Sequence, residues 1–406
     1  MAIFIFGMGS AQSFSQTLDD YLQTAAENNP KLKSAYAQFE AAMQRAPQVS
    51  SLPDPSVTMS AFGRMIETRV GAQEARFSLS QMFPWFGTLQ AKEDASVLMA
   101  EAKFQNFLDM RNQLFFEIKS VYAELYAIKE TIQLKKKNLT ILDSYHELSL
   151  SRFKSGHAPM VNVIKVDIQR EAAITEIELL EEIMKPLETR FNLMLNREPD
   201  IAVQIQDTLM FKNYEILMDP KELFENHPSI TGLEKQKESY EMQQIVAQKE
   251  GLPMLGLGID YSIISKRTDA NPEMNGQDAI MPMLTVTLPI FRKKYRAAKK
   301  EAEFMASSME QEQEAQKNEL QSAYELTLYD LKKAEQLIAL YEKQLVSSGQ
   351  ASKLLISGFS NSIIDFEEVL QMNQDILMLQ TQEVEAIKNG FKAKAKLDYL
   401  ISKSEK

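Results

Sequence analysis

The side chains that carry acid–base, nucleophilic or metal chemistry are sparse in this chain and do not converge. There is no cysteine, so a disulfide scaffold, a thiolate-held zinc or iron–sulfur centre and a cysteine nucleophile are all excluded. The three histidines, His146, His157 and His227, lie too far apart to read as a metal cluster and are expected as polar helix or loop residues. No Ser-His-Asp set, phosphate loop or metal-ligand spacing occurs, and Gly256-Leu257-Gly258 lacks the third glycine and the following helix of a dinucleotide site. Neither catalysis nor a cofactor is expected. One pattern of soft ligands remains: Met59, Met65, Met82, Met254, Met274, Met281 and Met283 place 7 of the 22 methionines in two short segments. Thioethers bind Cu(I) and similar soft ions, while methionine also serves as flexible apolar filler.

The elements that must position these residues are unusually long. With 14 Gly and 14 Pro among 406 residues, the turn-forming share is roughly 7%, against about 12% in ordinary globular proteins. Neither residue occurs from Thr88 to Ser155 or from Phe291 to Ser348. At about 1.5 Å per residue the first run alone makes a rod of roughly 100 Å. Within it Phe104, Phe107, Leu114, Ile118, Val121, Leu125, Ile128 and Ile132 alternate steps of three and four, with Arg111 in the one polar gap: a coiled-coil seam. Leu108, Phe115 and Tyr122 form a second stripe beside it. The second run repeats the seam in Leu320, Tyr324, Leu331, Ala334, Ile338, Tyr341 and Leu345, after a nearly all-polar stretch from Glu310 to Glu319.

Gly and Pro gather instead in Pro53 to Gly87 and Gly251 to Pro289, where the hydrophobic period falls to two. Leu255, Leu257, Ile259, Tyr261 and Ile263 alternate with Gly256, Gly258, Asp260 and Ser262. Phe77 and Leu79 are set against Arg76, Ser78 and Ser80, and Leu284, Val286 and Leu288 against Thr285 and Thr287. These are strands with one apolar face, paired into hairpins across Glu67–Glu74 and Ser265–Asp278. The order helix, hairpin, long helix, Gly turn, helix occurs twice. Asn29-Pro30 answers His227-Pro228, Leu52-Pro53 answers Leu252-Pro253, and Ser155-Gly156 answers Ser357-Gly358. Thr17 with Asp20, and Asp219-Pro220 with Glu222, mark helix starts. The expected organisation is residues 1–16 as signal peptide and tail, 17–200 as first repeat (strands about 53–84, helices 88–155 and 159–197) and 201–406 as second (strands about 252–289, helices 291–357 and 361–404).

Four strands cannot close a barrel or leave their edges bare, so other chains must complete the sheet. Three copies give twelve strands, within the range of outer-membrane barrels, whose apolar side chains face lipid and polar ones the lumen. In that reading Met281 and Met283 fall on the lumen face. No apolar run is long enough for a transmembrane helix. Ala2 to Met8 followed by Gly9-Ser10-Ala11 reads as an export signal, without the usual positive start. The net charge of −11 and pI of 5.1 argue against nucleic acid as a partner, and no basic block with interleaved aromatics is recognised.

The twofold repeat, the Asn-Pro start, Leu52-Pro53-Asp54-Pro55, Gln81-Met82-Phe83-Pro84-Trp85-Phe86-Gly87 and the two Gly-containing helical turns resemble the TolC family of outer-membrane efflux proteins, over about Thr17 to Ser402. The resemblance implies a mostly α protein with a membrane β part. It would be a homotrimer whose twelve-stranded outer-membrane β-barrel, four strands per chain, continues as a long α-helical barrel in the periplasm. It implies the exit duct of a tripartite pump for metal ions or small toxic compounds. The partners would be outer-membrane lipid, a periplasmic adaptor (membrane fusion) protein and an inner-membrane transporter of RND or similar type.

Carried over, Lys154, Ser155, Gly156 and His157, with Ser357, Gly358, Phe359 and Ser360, would be the periplasmic tips that meet the adaptor; they also read as ordinary helix–helix turns. The family commonly has an acid six residues after the tip glycine. Here those places hold Asn162 and Ile364, with Asp365 one residue later, as if the second tip had a one-residue insertion. Asp365, Glu367, Glu368 and Asp375 are the candidate pore-entrance acids, since three copies would form a cation-favouring ring; acids early in a helix also answer the dipole. The competing readings are a type I secretion duct and a periplasmic coiled-coil adaptor or scaffold. An adaptor is expected to have one long hairpin interrupting a lipoyl-like β domain, a pattern absent here.

Overall fold

The computed structural model describes residues 17–205, 208, 209, 211, 224–361 and 363–402, apart from the Arg64 side chain. The expected signal segment and the Asp219-Pro220 helix start lie outside them. The described elements run α1 (Leu18–Asn28), α2 (Pro30–Met43), α3 (Arg45–Ser50), β1 (Ser56–Thr68), β2 (Gly71–Phe83), α4 (Thr88–Lys154), α5 (Met160–Met194), α6 (Pro228–Glu250), β3 (Met254–Ile264), β4 (Ala279–Thr287), α7 (Lys293–Ser360) and α8 (Phe366–Leu400). The expected order recurs twice, with strand ends within a few residues of expectation. The capping box at Thr17 is formed: its hydroxyl accepts from the Asp20 amide at 3.3 Å and its amide donates to the Asp20 carboxylate at 2.8 Å. Pro30 and Pro228 each open a helix, where a missing N–H costs nothing.

The chain divides into two compact units, and each takes segments from both sequence repeats. In the first (Met1–Ser34, Leu108–His227, Asn318–Lys406), part of the predicted seam is core: Leu114, Ile118, Val121 and Leu125 of α4 and Leu320, Tyr324, Leu331 and Ala334 of α7 are buried, as is Tyr122 of the second stripe, while Ile128, Ile132, Ile338, Tyr341 and Leu345 are half-buried. Tyr21 of α1 meets Phe191 of α5 edge-on at 5.0 Å and Tyr122 at 6.4 Å. In the second (Ala35–Phe107, Pro228–Lys317), Tyr36 and Phe39 of α2 pack on Phe107 and Phe104 of α4 at 5.4 and 5.1 Å. There too the Ser239 hydroxyl of α6 donates to the Ala95 carbonyl at 2.7 Å.

The second unit also holds the sheet, an antiparallel meander in the order β1-β2-β3-β4. Register pairs Val57 with Leu79, Leu79 with Ile259 and Ile259 with Pro282. A shift between Ala61 and Ile66 bulges β1. β1 and β4 are edge strands with no neighbour on their outer sides among the described residues.

Candidate functional site

Two regions carry the candidate function: the strand faces in the second unit and the helical turns in the first. Along β3 the buried positions are Gly256, Asp260, Ser262 and Ile264, while Leu255, Leu257, Ile259 and Tyr261 are exposed. Ordinary one-sided sheets do the reverse, packing the apolar face on the core. On β2 Leu79 and Phe83 of the same face are exposed, whereas Ser56–Ala61 of β1 and every residue of β4 except Met283 are exposed on both faces. Val57 is 68% exposed, Leu79 47%, Ile259 45% and Leu284 70%, and the register places all of them on one face. The other face carries Thr58, Ser78, Asp260 and Met281 in one row, and Ser56, Ser80, Gly258 and Met283 in the next. An exposed apolar face opposite a polar one is the arrangement of a membrane barrel strand.

The seven methionines do not form one site. By register Met82, Met254, Met281 and Met283 lie on the polar face, as expected for Met281 and Met283, whereas Met59 lies on the apolar one. Met274 is in the β3–β4 connection at φ 69°. The two glycines of β3 make room for thioethers: a Cβ on Gly256 would come within 2.5 Å of the Met82 sulfur, and one on Gly258 within 3.2 Å of the Met283 methyl. Arg76 reaches Asp260 on the same face at 3.9 Å.

At the first tip α4 ends at Lys154 and Gly156 takes φ 76°, a left-handed conformation open mainly to glycine. The His157 amide donates to the Arg152 carbonyl at 2.9 Å and the Gly156 amide to the Phe153 carbonyl at 3.0 Å, a Schellman closure with Gly at C′. The Ser155 hydroxyl donates to the Arg152 carbonyl and lies 3.0 Å from His157 Nδ1. The second tip is built differently. Ser357, Gly358, Phe359 and Ser360 are the last turn of α7, and Gly358 is helical rather than left-handed. Its lack of a side chain admits Ile364, whose Cδ1 would lie 2.5 Å from an added Cβ.

This corrects the expected one-residue insertion. Both interhelical connections, Lys154 to Met160 and Ser360 to Phe366, have five intervening residues; what differs is where the glycine falls relative to the helix end. Aligned on the N-caps Pro159 and Asp365, Asn162 corresponds to Glu368.

The candidate acids separate accordingly. Asp365 caps α8 through its backbone and makes no side-chain cap bond, while Glu367 and Glu368 occupy the first turn, where the dipole favours them. Glu367 is ion-paired with Lys165 of α5. Asp375 lies more than two turns farther on and accepts from the Gln371 amide group at 2.9 Å. Beneath the tips Leu142, Val166, Ala173, Phe359, Phe366, Val369 and Leu370 form one buried cluster. Arg152 donates to the Ser360 carbonyl at 2.9 Å and lies 4.3 Å over the Phe359 ring. A charge chain not anticipated from the sequence ties α4 to α5: Arg170 bridges Asp143 at 2.6 Å and Asp167 at 3.6 Å, and His146 Nδ1 lies 2.8 Å from Asp167.

Two further groups differ from the sequence expectation, His227 by being buried rather than a polar surface residue. His227, fully buried, stands edge-on to Tyr399 at 5.6 Å, and the Tyr399 hydroxyl donates to Asp109 at 3.2 Å. Burial pushes His227 down to about 4, raises the Asp109 carboxyl and lowers Lys396, while burial and the Asp109 charge raise the Tyr399 hydroxyl. The second is a basic block with interleaved aromatics, Phe291 to Lys300, which corrects the expectation that the chain has none.

Among the described residues no helix is long and apolar enough to cross a membrane. No protein-family model and no curated protein matches the chain. Solved structures do. The outer-membrane protein VceC from Vibrio cholerae aligns with 95% of this chain and 95% of its own at a TM-score of 0.78 and 16% identity. The outer-membrane channel OprN aligns with 95% of this chain and 90% of its own at 0.77 and 16%. CusC, described as forming a transmembrane channel, aligns with 95% and 91% at 0.79 and 13%. With the inverted strand faces and the paired helical hairpins already in view, the conclusion is one of architecture: this chain has the fold of the outer-membrane channels.

Proposed function

We propose that the protein is the outer-membrane exit duct of a tripartite efflux pump, a passive conduit and not an enzyme, spanning the outer membrane and extending into the periplasm. The observation that carries the reading is the strand face: Val57, Leu79, Ile259 and Leu284 form one exposed apolar surface opposite a polar one, the pattern demanded by lipid outside and water inside. Two unpaired sheet edges require further copies, and three chains close a twelve-stranded barrel. The two repeats, 17–200 and 201–406, are then duplicated halves of one subunit, with 1–16 as its export signal. The fold shared with the channels OprN, VceC and CusC supports the same reading.

In this duct the turns at Lys154–His157 and Ser357–Ser360 receive a periplasmic adaptor, which joins an inner-membrane transporter of RND or similar type. Asp365, Glu367, Glu368 and Asp375 are the pore-entrance acids. The closed entrance is held by the Lys165–Glu367 pair and the Asp143–Arg170–Asp167 chain, and adaptor docking shifts the helices apart. Each exposed pair contributes only about 0.2–1 kcal/mol, weak enough for docking to break. The cargo class is metal ions or small toxic compounds; methionine thioethers on the polar face suit soft ions.

The experiment is to assay outer-membrane fractions for a heat-modifiable trimer and to record the purified protein in planar bilayers. A trimer with cation-preferring channels is expected. Neutralising Asp365, Glu367 and Glu368 to the amides should lengthen open dwells and weaken the cation preference. A soluble periplasmic monomer would overturn the architecture, and unchanged conductance and selectivity in the amide variant would overturn the entrance assignment.

A further inference from the structure

Six of the nine residues from Arg292 to Lys300 are cationic: Arg292, Lys293, Lys294, Arg296, Lys299 and Lys300. The whole chain carries a net charge of −11, so this density is a local departure. Five of the six open α7, whose first turn has no acid, although the positive end of the helix dipole disfavours cations there. Arg292 with Arg296 and Arg296 with Lys300 are also like-charge neighbours four apart, which destabilises a helix. All six side chains are exposed, and none has a carboxylate within ion-pair distance among the described residues. Among the described residues Lys294 over Tyr295 and Lys300 over Phe304 make ring contacts. Glu301 and Glu303 follow on the same helix, but among the described residues no carboxylate pairs with these cations, which leaves them available to an external anion.

Its surroundings say which counter-ion. Immediately before it, Leu288, Ile290 and Phe291 are 70 to 77% exposed, and after β2 so is Phe86 at 78%. Register puts the ends of β2, β3 and β4 level, Phe83 with Leu255 and Leu255 with Val286. This apolar collar therefore continues the apolar strand face at the end where the strands meet the helices. A cavity of about 690 Å³ opens there with a mixed lining: Leu52, Trp85 and Leu252 on its apolar side, and Lys92, Lys249 and Lys294 with the carboxylates Asp54 and Glu250 on its polar side. The exposed apolar collar directly beside the cation run, rather than the cavity alone, fits an acyl chain with a phosphate attached.

We infer that this collar is a docking site for anionic phospholipid, the headgroup phosphate on the Arg292–Lys300 cations and the acyl chains against Trp85 and the apolar face. The site rests on the membrane-barrel reading and adds a lipid-class preference to it. It anchors the strand–helix junction at the leaflet that faces the periplasm. Each cation that reaches a headgroup contributes an enrichment on the order of fivefold, the equivalent of ~1 kcal/mol.

Trp85 is the only tryptophan and reports the site directly. The full chain is reconstituted into nanodiscs of phosphatidylethanolamine and phosphatidylglycerol in which one lipid or the other is brominated, and Trp85 quenching is measured. Brominated phosphatidylglycerol is expected to quench several-fold more strongly than brominated phosphatidylethanolamine. In a Lys293→Gln, Lys294→Gln, Arg296→Gln, Lys299→Gln, Lys300→Gln variant, checked to remain a heat-modifiable trimer, the two should become equal. Equal quenching in the unaltered protein would overturn the lipid preference and leave the channel reading standing. A preference that survives in the variant would assign it elsewhere and overturn the site. Absence of quenching by either lipid would overturn the membrane placement, and the site with it.

Discussion

If the exposed strand face meets hydrocarbon, the cost of placing an arginine there is set by depth, and the register supplies a ruler. The row Val57–Leu79–Ile259–Pro282 crosses the middle of the sheet. The row Phe83–Leu255–Val286 lies at its helix end, four residues away along β3. At about 3.3 Å per residue that is roughly 13 Å along the strand, or about 10 Å of depth at a tilt of 35–45°. An apolar band about 25 Å tall then puts the first row near the midplane and the second near the interface. Ile259→Arg is expected to cost about 2–4 kcal/mol per chain and Leu255→Arg about 0–1 kcal/mol, with Leu257→Arg between. Thr58→Arg, on the polar face one residue from the middle row, should cost little. The assay is refolding into phospholipid vesicles across a urea series, read by the heat-modifiable gel shift. If Thr58→Arg proved costlier than Ile259→Arg, or the three apolar-face variants showed no gradient, the assignment of faces would be wrong.

Two other outcomes follow from the helical unit. His227 titrates near 6.5 when unfolded and about 4 when folded, so it contributes stability that is present at neutral pH and lost as pH falls from about 6.5 to 4, with a ceiling of about 3 kcal/mol. Asp109, raised by burial, acts in the opposite direction, so the measurement is the difference between the parent and His227→Phe: the variant's unfolding midpoint should fall less between pH 7 and 4.5, and an equal fall would refute the assignment. At the tips, nothing lies within 4 Å of a Cβ on Gly156, so Gly156→Ala should cost about 1–2 kcal/mol through its left-handed backbone alone, seen as faster amide exchange around the first turn. Gly358→Ala should leave that exchange unchanged, and its acceleration would refute the local origin.

Much of the architecture was legible because each element announces its own period. Leu255 to Ile263 alternate strictly, and Ile118, Val121 and Leu125 step by three and four, so strand faces and helix seams could be assigned without a partner in view. The tips were only half legible. Ser155-Gly156 and Ser357-Gly358 are the same dipeptide, yet one glycine ends a helix at positive φ and the other sits inside one to admit Ile364. A glycine permits both roles, and the side chain that decides, Ile364, touches it only after the chain has turned. The charge chain through Asp143, Arg170 and Asp167 is illegible for a related reason: it joins residues 27 apart on two helices whose relative rotation no local pattern sets. The basic run Arg292–Lys300 is legible in the sequence itself, but its exposure at the strand–helix end is not.

The two kinds of exposed apolar surface also separate lipid from protein. On β3 the exposed apolar positions recur every second residue and lie level with Val57, Leu79 and Leu284 of the neighbouring strands, a face that liquid hydrocarbon can wet without specific partners. On α5 they recur at helical spacing, Ile164 with Ile168 and Leu179 with Ile183, each 47 to 64% exposed. Knobs at that spacing bury fully only in the holes of another helix, and α5 leaves them open within one chain. A membrane alone would satisfy the strand face and leave the helix stripes wet; a soluble oligomer would cover the stripes and leave the strand face bare. The chain carries both surfaces, and the proposed trimer in a membrane would cover each of them.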